Sequence, residues 1–293
     1  MSDLEAVILS LMPLEAFGST VFEEVDNSSV RLLGAGIATF VRDDFIRRFR
    51  NAPTTWATPE LVTRLKRGNS PVLSRQELRD ANSDGGLNLF AWHSGLSVED
   101  VGRPEVASAM ITVFFDLYRG YHIKEFCQQA ETWHHVLVAR AGGCYVMHPS
   151  DGRYVDFFDT TESGFDGAPL MFGMNKDMSQ PAAGSWIATA LFRYEAPRFY
   201  FTRGQQRLLT VALAGATDEE LADKLGISSF AVKTVWREIY DRSSSFFPEC
   251  NSAHFGREGT AEHRGKQKRH LLLAYLRDHP EEMRPIRQKH VSL

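Results

Sequence analysis

The chain has 293 residues, 43% of them hydrophobic, with 33 Lys and Arg against 37 Asp and Glu and a formal net charge of −4. That length and apolar content are enough for two domains, each with its own core. No apolar run is long enough to cross a bilayer, no basic segment leads into a secretory apolar core, and Cys127, Cys144 and Cys250 are too scattered for a disulfide scaffold, so a cytoplasmic location is expected.

Residues 1–197 alternate between helix and strand signals. Gly34 and Gly36 supply only a Gly-x-Gly, without the third glycine or the later acidic partner of a dinucleotide fingerprint. Asp43 and Asp44 read as an ordinary helix start, where the dipole favours negative charge. Thr58, with Pro59 at the first helical position and Gly68 past the end, predicts a short helix. Ser74 and Glu77 have the spacing of a capping box. Pro104 opens a longer helix in which Val106, Met110, Val113, Phe114 and Leu117 make a broad apolar face. β-prone runs follow at 135–139, 144–147, 154–158 and 186–194, separated by glycine and proline turn clusters. The pattern predicts an α+β domain of several antiparallel strands flanked by helices, in the style of PAS or GAF sensors, ending near Pro197 and Arg198.

Chemistry-bearing residues in this part form no recognisable catalytic pattern. Cys127, His134, His135, Cys144 and His148 match no zinc spacing, and neighbours in a strand point to opposite faces. There is no Gly-x-Ser-x-Gly elbow. Phe114, Phe115, Tyr118, Tyr121 and Phe126 could line a ligand cavity, but core packing is the stronger default for large apolar residues. The expectation is a protein that is not an enzyme, with no metal and no cofactor.

Residues 198–293 carry a different code. Thr202 and Gln205 have capping-box spacing, and Leu208, Leu209, Ala212 and Leu213 then repeat at helical intervals until Gly215. Thr217 and Glu220 repeat the box and open a second helix with acids in its first turn, Leu221, Ala222 and Leu225 on its buried side, and Gly226 at its end. Ser228 is a good N-cap for a third helix. Val232, Trp236 and Ile239 share one face of that helix, while Ser229, Lys233, Thr234 and Arg237 project the other way. Two short helices joined by a glycine turn make a helix-turn-helix, which sets its second helix in the major groove of DNA.

From Phe201 to Tyr240 the chain resembles the LuxR-type (GerE-type) helix-turn-helix of bacterial transcription regulators. The resemblance rests on Phe201-Thr202, Gly215, Thr217, Glu220-Leu221-Ala222, Leu225-Gly226-Ile227-Ser228, Ala231-Val232-Lys233 and Ile239-Tyr240, without a gap. Val235 stands where that family often has His, and Ser243 to Pro248 replaces its usual Lys-Leu-Gly-Val. The resemblance implies that Lys233, Thr234 and Arg237 face the DNA. With the helical geometry it makes Ser228, Ser229, Lys233, Thr234, Arg237 and Arg242 the expected contacts.

Charge is balanced over residues 201–242, with six basic and six acidic groups, while residues 243–293 carry nine basic and six acidic groups and the first 200 residues carry 18 and 25. This suits a mildly acidic regulatory domain followed by a DNA-binding end. Lys266 to His270 leads into an apolar run with Leu271, Leu272, Tyr275 and Leu276; it reads either as a dimer contact or as a helix packed back on the unit. The expected partners are double-stranded DNA and a second copy of the chain, with a small-molecule signal and RNA polymerase completing the set. The alternative is a ligand-binding protein or enzyme whose activity lies in residues 1–197, with the C-terminal unit as an interaction module.

Overall fold

The computed structural model describes residues 3–26, 29–51, 56–97, 99–100, 102–130, 144–147, 154–155, 170–179, 190–244, 246 and 261–287. The chain divides into two compact units, Met1–Arg193 and Tyr194–Leu293, a division that falls slightly ahead of Pro197.

The first unit is built on a seven-stranded mixed sheet, in the order β1-β2-β3-β4-β7-β5-β6. The strands are β1 (Phe17–Asp26), β2 (Ser29–Val41), β3 (Leu87–Leu96), β4 (Ile123–Ala130), β5 (Tyr145–Met147), β6 (Tyr154–Val155) and β7 (Leu170–Asn175). Around it lie α1 (Asp3–Leu11), α2 (Asp43–Asn51), α3 (Ala57–Lys66), α4 (Arg75–Ser83) and α5 (Pro104–Tyr118). β3 and β4 run parallel because α5 carries the chain between them, whereas the other pairs are antiparallel.

Several expectations change here. The sheet begins at Phe17 and has five of its strands or strand portions before or at Ala130 and beyond Leu170, outside the β-prone runs read from the sequence. Residues 190–192 are helical rather than extended, with Leu191 and Phe192 buried in the core. The run at 135–139, with His134, His135 and His148, lies outside the described residues, as do residues 156–158 and 186–189. Gly34 and Gly36 sit inside β2, where a Cβ on Gly34 would lie 2.5 Å from the Gly95 carbonyl oxygen of β3. Close strand approach therefore explains Gly34.

Helix α3 begins at Ala57 and not at Pro59, and its N-cap residue Trp56 makes no side-chain cap. The cap comes from far away: Gln129 Oε1 on β4 accepts from the Ala57 and Thr58 amides at 2.6 and 3.1 Å. Those amides would otherwise lack partners. Pro59 then falls in the first turn, where a missing N–H costs nothing.

The core holds Phe40, Phe45, Phe49, Phe90, Leu89 and Ile123 almost wholly out of water. Tyr118 and Tyr121 pack on Phe40 at 5.8 and 4.7 Å, and Phe114 packs on Phe126 at 5.7 Å, all in tilted or edge geometry. Of the aromatic set that could have lined a cavity, Tyr118, Tyr121 and Phe126 are core, and Phe114 and Phe115 pack half-buried against it. At the end of the first hairpin, Arg31 makes a two-pronged pair with buried Asp100 at 2.7 and 2.9 Å, and Arg103 adds a third contact at 3.1 Å. Arg31, the Ser97 hydroxyl and Arg103 hold the Asp100 carboxyl well below the usual range, against the opposing effect of burial. No helix among the described residues is long and apolar enough to cross a membrane.

Ser74 and Glu77 form the expected capping box at the start of α4. Glu77 also accepts from Arg42 Nε at 2.7 Å, and Arg42 with the Ser74 bonds pulls its carboxyl down to about 2. A lowered carboxyl stabilises the fold above its unfolded value of 4.5 and loses that contribution as pH falls toward 2. The pair is part-exposed, so screening limits it to under ~1 kcal/mol. Glu77→Gln keeps an acceptor for the Ser74 amide and removes the charge. Melting curves from pH 7 to pH 2 are expected to show a shallower acid loss for the variant than for the parent. Parallel acid limbs would remove the Arg42–Glu77 contribution.

Candidate nucleic-acid interface

In the second unit α6 (Arg203–Leu213), α7 (Asp218–Leu225), α8 (Ser229–Ser243) and α9 (Ala261–Asp278) surround one apolar core. Local chemistry sets each boundary. The Thr202 hydroxyl accepts from the Gln205 amide and the Gln205 side chain accepts from the Thr202 amide, at 3.3 and 2.9 Å. Thr217 and Glu220 do the same for α7, and the Ser228 hydroxyl accepts from the Ala231 amide at 3.2 Å to start α8. Gly215 and Gly226 close α6 and α7 with φ of 89° and 65°, a region that penalises any residue with a Cβ.

The azimuth of α8 follows from what it buries. Val232, Trp236 and Ile239 lie in the core with Leu208, Leu209 and Leu221. Gln205, itself buried, reaches across from α6 to Glu238 at 3.3 Å. Trp236 is 5% exposed and stacked on Tyr240 at 5.5 Å, and the guanidinium carbon of Arg269 lies 4.7 Å from its ring centroid. Arg269 in turn pairs with Asp218 at 2.7 Å and donates to the Ala216 carbonyl at 2.6 Å. One arginine of α9 thus ties α8 to the start of α7.

With that face inward, successive residues turning by about 100° put Phe230, Lys233, Thr234, Arg237 and Asp241 on the opposite side. Lys233 and Arg237 are exposed, and among the described residues neither enters an ion pair. Thr234 is half-buried and its hydroxyl donates to the Phe230 carbonyl at 3.1 Å. Ser229 is exposed at the flank, and Ser228 is engaged in its cap. Arg242 is separated from this group: it lies off the outward face, and its Nη1 donates to the Tyr200 carbonyl at 3.4 Å. Tyr200 has a φ of 48°, held between the buried rings of Phe199 and Phe201, so this bond steadies a strained lead into α6.

Two features went unread in the sequence. Phe230 is 81% exposed at the N-terminal end of the outward face; its helical phase alone could have revealed it. Glu282 is buried and accepts from the Arg198 and Phe199 amides at 2.8 and 3.0 Å, so it anchors the segment entering the unit. Burial pushes its carboxyl up, against those two amide bonds.

Of the apolar run of α9, Leu272 and Leu276 pack into the unit's own core, and Leu271 and Tyr275 are half-buried. Leu272 and Leu276 are 1% and 2% exposed within the unit's own core, so they are not available to join two copies. Burial pushes the Cys127 thiol up and the Cys144 thiol up to about 12. Glu195, His279 and Glu281 bring one ligand atom each within 4.8 Å of one another. His279 Nδ1 lies 2.8 Å from Glu281 and its ring stacks on Tyr275 at 4.0 Å, contacts that already give this histidine a bracing role.

A scan against protein-family models finds no match to this chain, and a search of curated proteins finds none either.

Two substitutions test the packing. Trp236→Ala is expected to cost about 3–5 kcal/mol, the range for emptying an aromatic core site, and denaturant unfolding of the full chain measures it. Leu272→Asp with Leu276→Asp is expected to unfold the second unit at every protein concentration, read by helical circular dichroism. A double variant that keeps its fold and changes only its association would reverse the assignment of α9.

Proposed function

We propose that this chain is a DNA-binding transcriptional regulator of the LuxR type, which sets α8 in the major groove of duplex DNA. Ser229, Lys233, Thr234 and Arg237 would meet base edges and phosphates, with residues before Tyr194 acting as the sensor that governs the encounter. The observation that carries the reading is the phase of α8. Its apolar side is consumed by the core, and its opposite side carries Lys233 and Arg237, exposed and in no ion pair among the described residues, at helical spacing. Hydrogen-bond donors on one helical face are what base edges and phosphates require.

The residue pattern from Phe201 to Tyr240 supports the same reading, and so does the charge difference between the two ends of the chain. Ser228 and Arg242 take supporting parts: the first caps α8, and the second steadies the backbone before α6. A single helix of this kind spans too few base pairs to pick one operator from a genome, so two copies on a pseudo-palindrome are part of the proposal. The pairing surface then lies elsewhere than on Leu272 and Leu276.

Selection of random duplexes on the full chain provides the operator for the test. Arg237→Ala is expected to weaken binding to it by about 1–3 kcal/mol if the side chain reads a base. Lys233→Ala is expected to act evenly across sequences and to lower the salt slope by about one, as a phosphate contact does. Isotherms for both variants that match the parent at every salt concentration would sink the docking.

A further inference from the structure

Phe230 is the most exposed large hydrophobic residue among the described ones, at 81%. A phenyl ring so placed gains nothing from the core and has no hydrogen bond to offer. Its position is specific. It is the second residue of α8, and Lys233, Thr234 and Arg237 follow it along the same face at i+3, i+4 and i+7. Side chains on a helix lean toward its N-terminus, so the ring extends past the first turn, toward the side where Ile227 is also exposed. That end of a recognition helix is the part that comes nearest to base edges.

We propose that Phe230 selects thymine, by packing its ring against the C5-methyl group in the major groove. The inference rests on the DNA-binding reading of α8. Among the groups that the four bases present in that groove, the thymine methyl is the one apolar feature; the others are hydrogen-bond donors and acceptors. A ring flanked by Lys233 and Arg237 faces a polyanion more favourably than an apolar protein surface, because burying those cations against such a surface would strip their water without return. Both Thr234 and Ser228 spend their hydroxyls on backbone partners, at 3.1 and 3.2 Å. Ser229 stands at the flank of α8, so on the outward face itself the contact at the start of the helix falls to Phe230, and Arg237 supplies the polar contact two turns on.

The full chain is first used to select a duplex from a random library, and that duplex is then remade with uracil in place of each thymine in turn. Uracil lacks only the methyl group. Binding by fluorescence anisotropy at one fixed salt concentration is expected to fall about fourfold to tenfold at one thymine of each half-site, the scale of one buried methyl on an aromatic ring. Phe230→Ala is expected to bind the thymine and uracil duplexes alike, and Phe230→Leu to recover part of the preference. A parent chain with no uracil-sensitive position overturns the assignment, and so does an alanine variant that keeps the preference; either result leaves the DNA-binding reading standing. A library from which no sequence is enriched overturns that reading and the thymine contact together.

Discussion

The burial of Trp236 fixes the second unit. The indole packs on Tyr240 and on the Arg269 guanidinium, and Arg269 is held by Asp218 and the Ala216 carbonyl. These contacts set the rotation of α8 about its own axis. Once Trp236, Val232 and Ile239 point inward, no freedom remains in which residues point outward. A rotation of one residue would carry Trp236 into water and leave a large void, at a cost well beyond the few kcal/mol that surface contacts return. The outward face is therefore a consequence of the core.

The first unit depends on non-local bonds of another sort. Gln129 of β4 caps α3, Asp100 gathers Arg31 and Arg103 at the hairpin end, and the α5 crossover makes β3 and β4 parallel. Such a sheet joins segments far apart in sequence, and each junction closes a long loop before it is rewarded. The second unit has the reverse economy. Three of its helix starts are capped by residues three positions away, and longer-range bonds from Gln205, Gln206, Arg242, Arg269 and Glu282 then join the helices.

This contrast explains what could be read in the sequence. The caps at Ser74, Thr202, Thr217 and Ser228 and the left-handed turn at Gly226 are local, so spacing alone revealed them. The strands Phe17–Asp26 and Ser29–Val41 were missed because glycines at 18, 34 and 36 interrupt the side-chain pattern; their place is fixed by pairing with one another and with β3. The cap of α3 escaped because its acceptor is on another strand. Trp186 to Tyr194 was read as a β-prone run set off by turn clusters, yet residues 190–192 are helical, with Leu191 and Phe192 drawn into the core. Phe230 escaped for a different reason. Sorting apolar residues inward and polar residues outward hides the one apolar side chain whose phase is outward. Leu272 and Leu276 left two readings open, because an apolar stripe looks the same whether it meets its own unit or a second copy.

Hydrogen exchange of the full chain, with and without a duplex enriched from a random library, tests the proposed docking of α8 most directly. Amides at a helix start that lack internal partners are sensitive to a phosphate placed before them. The account predicts slowed exchange concentrated on the turn at Gly226 to Ser228 and on α8. Protection concentrated on any other element, with the duplex bound and α8 unchanged, would contradict it.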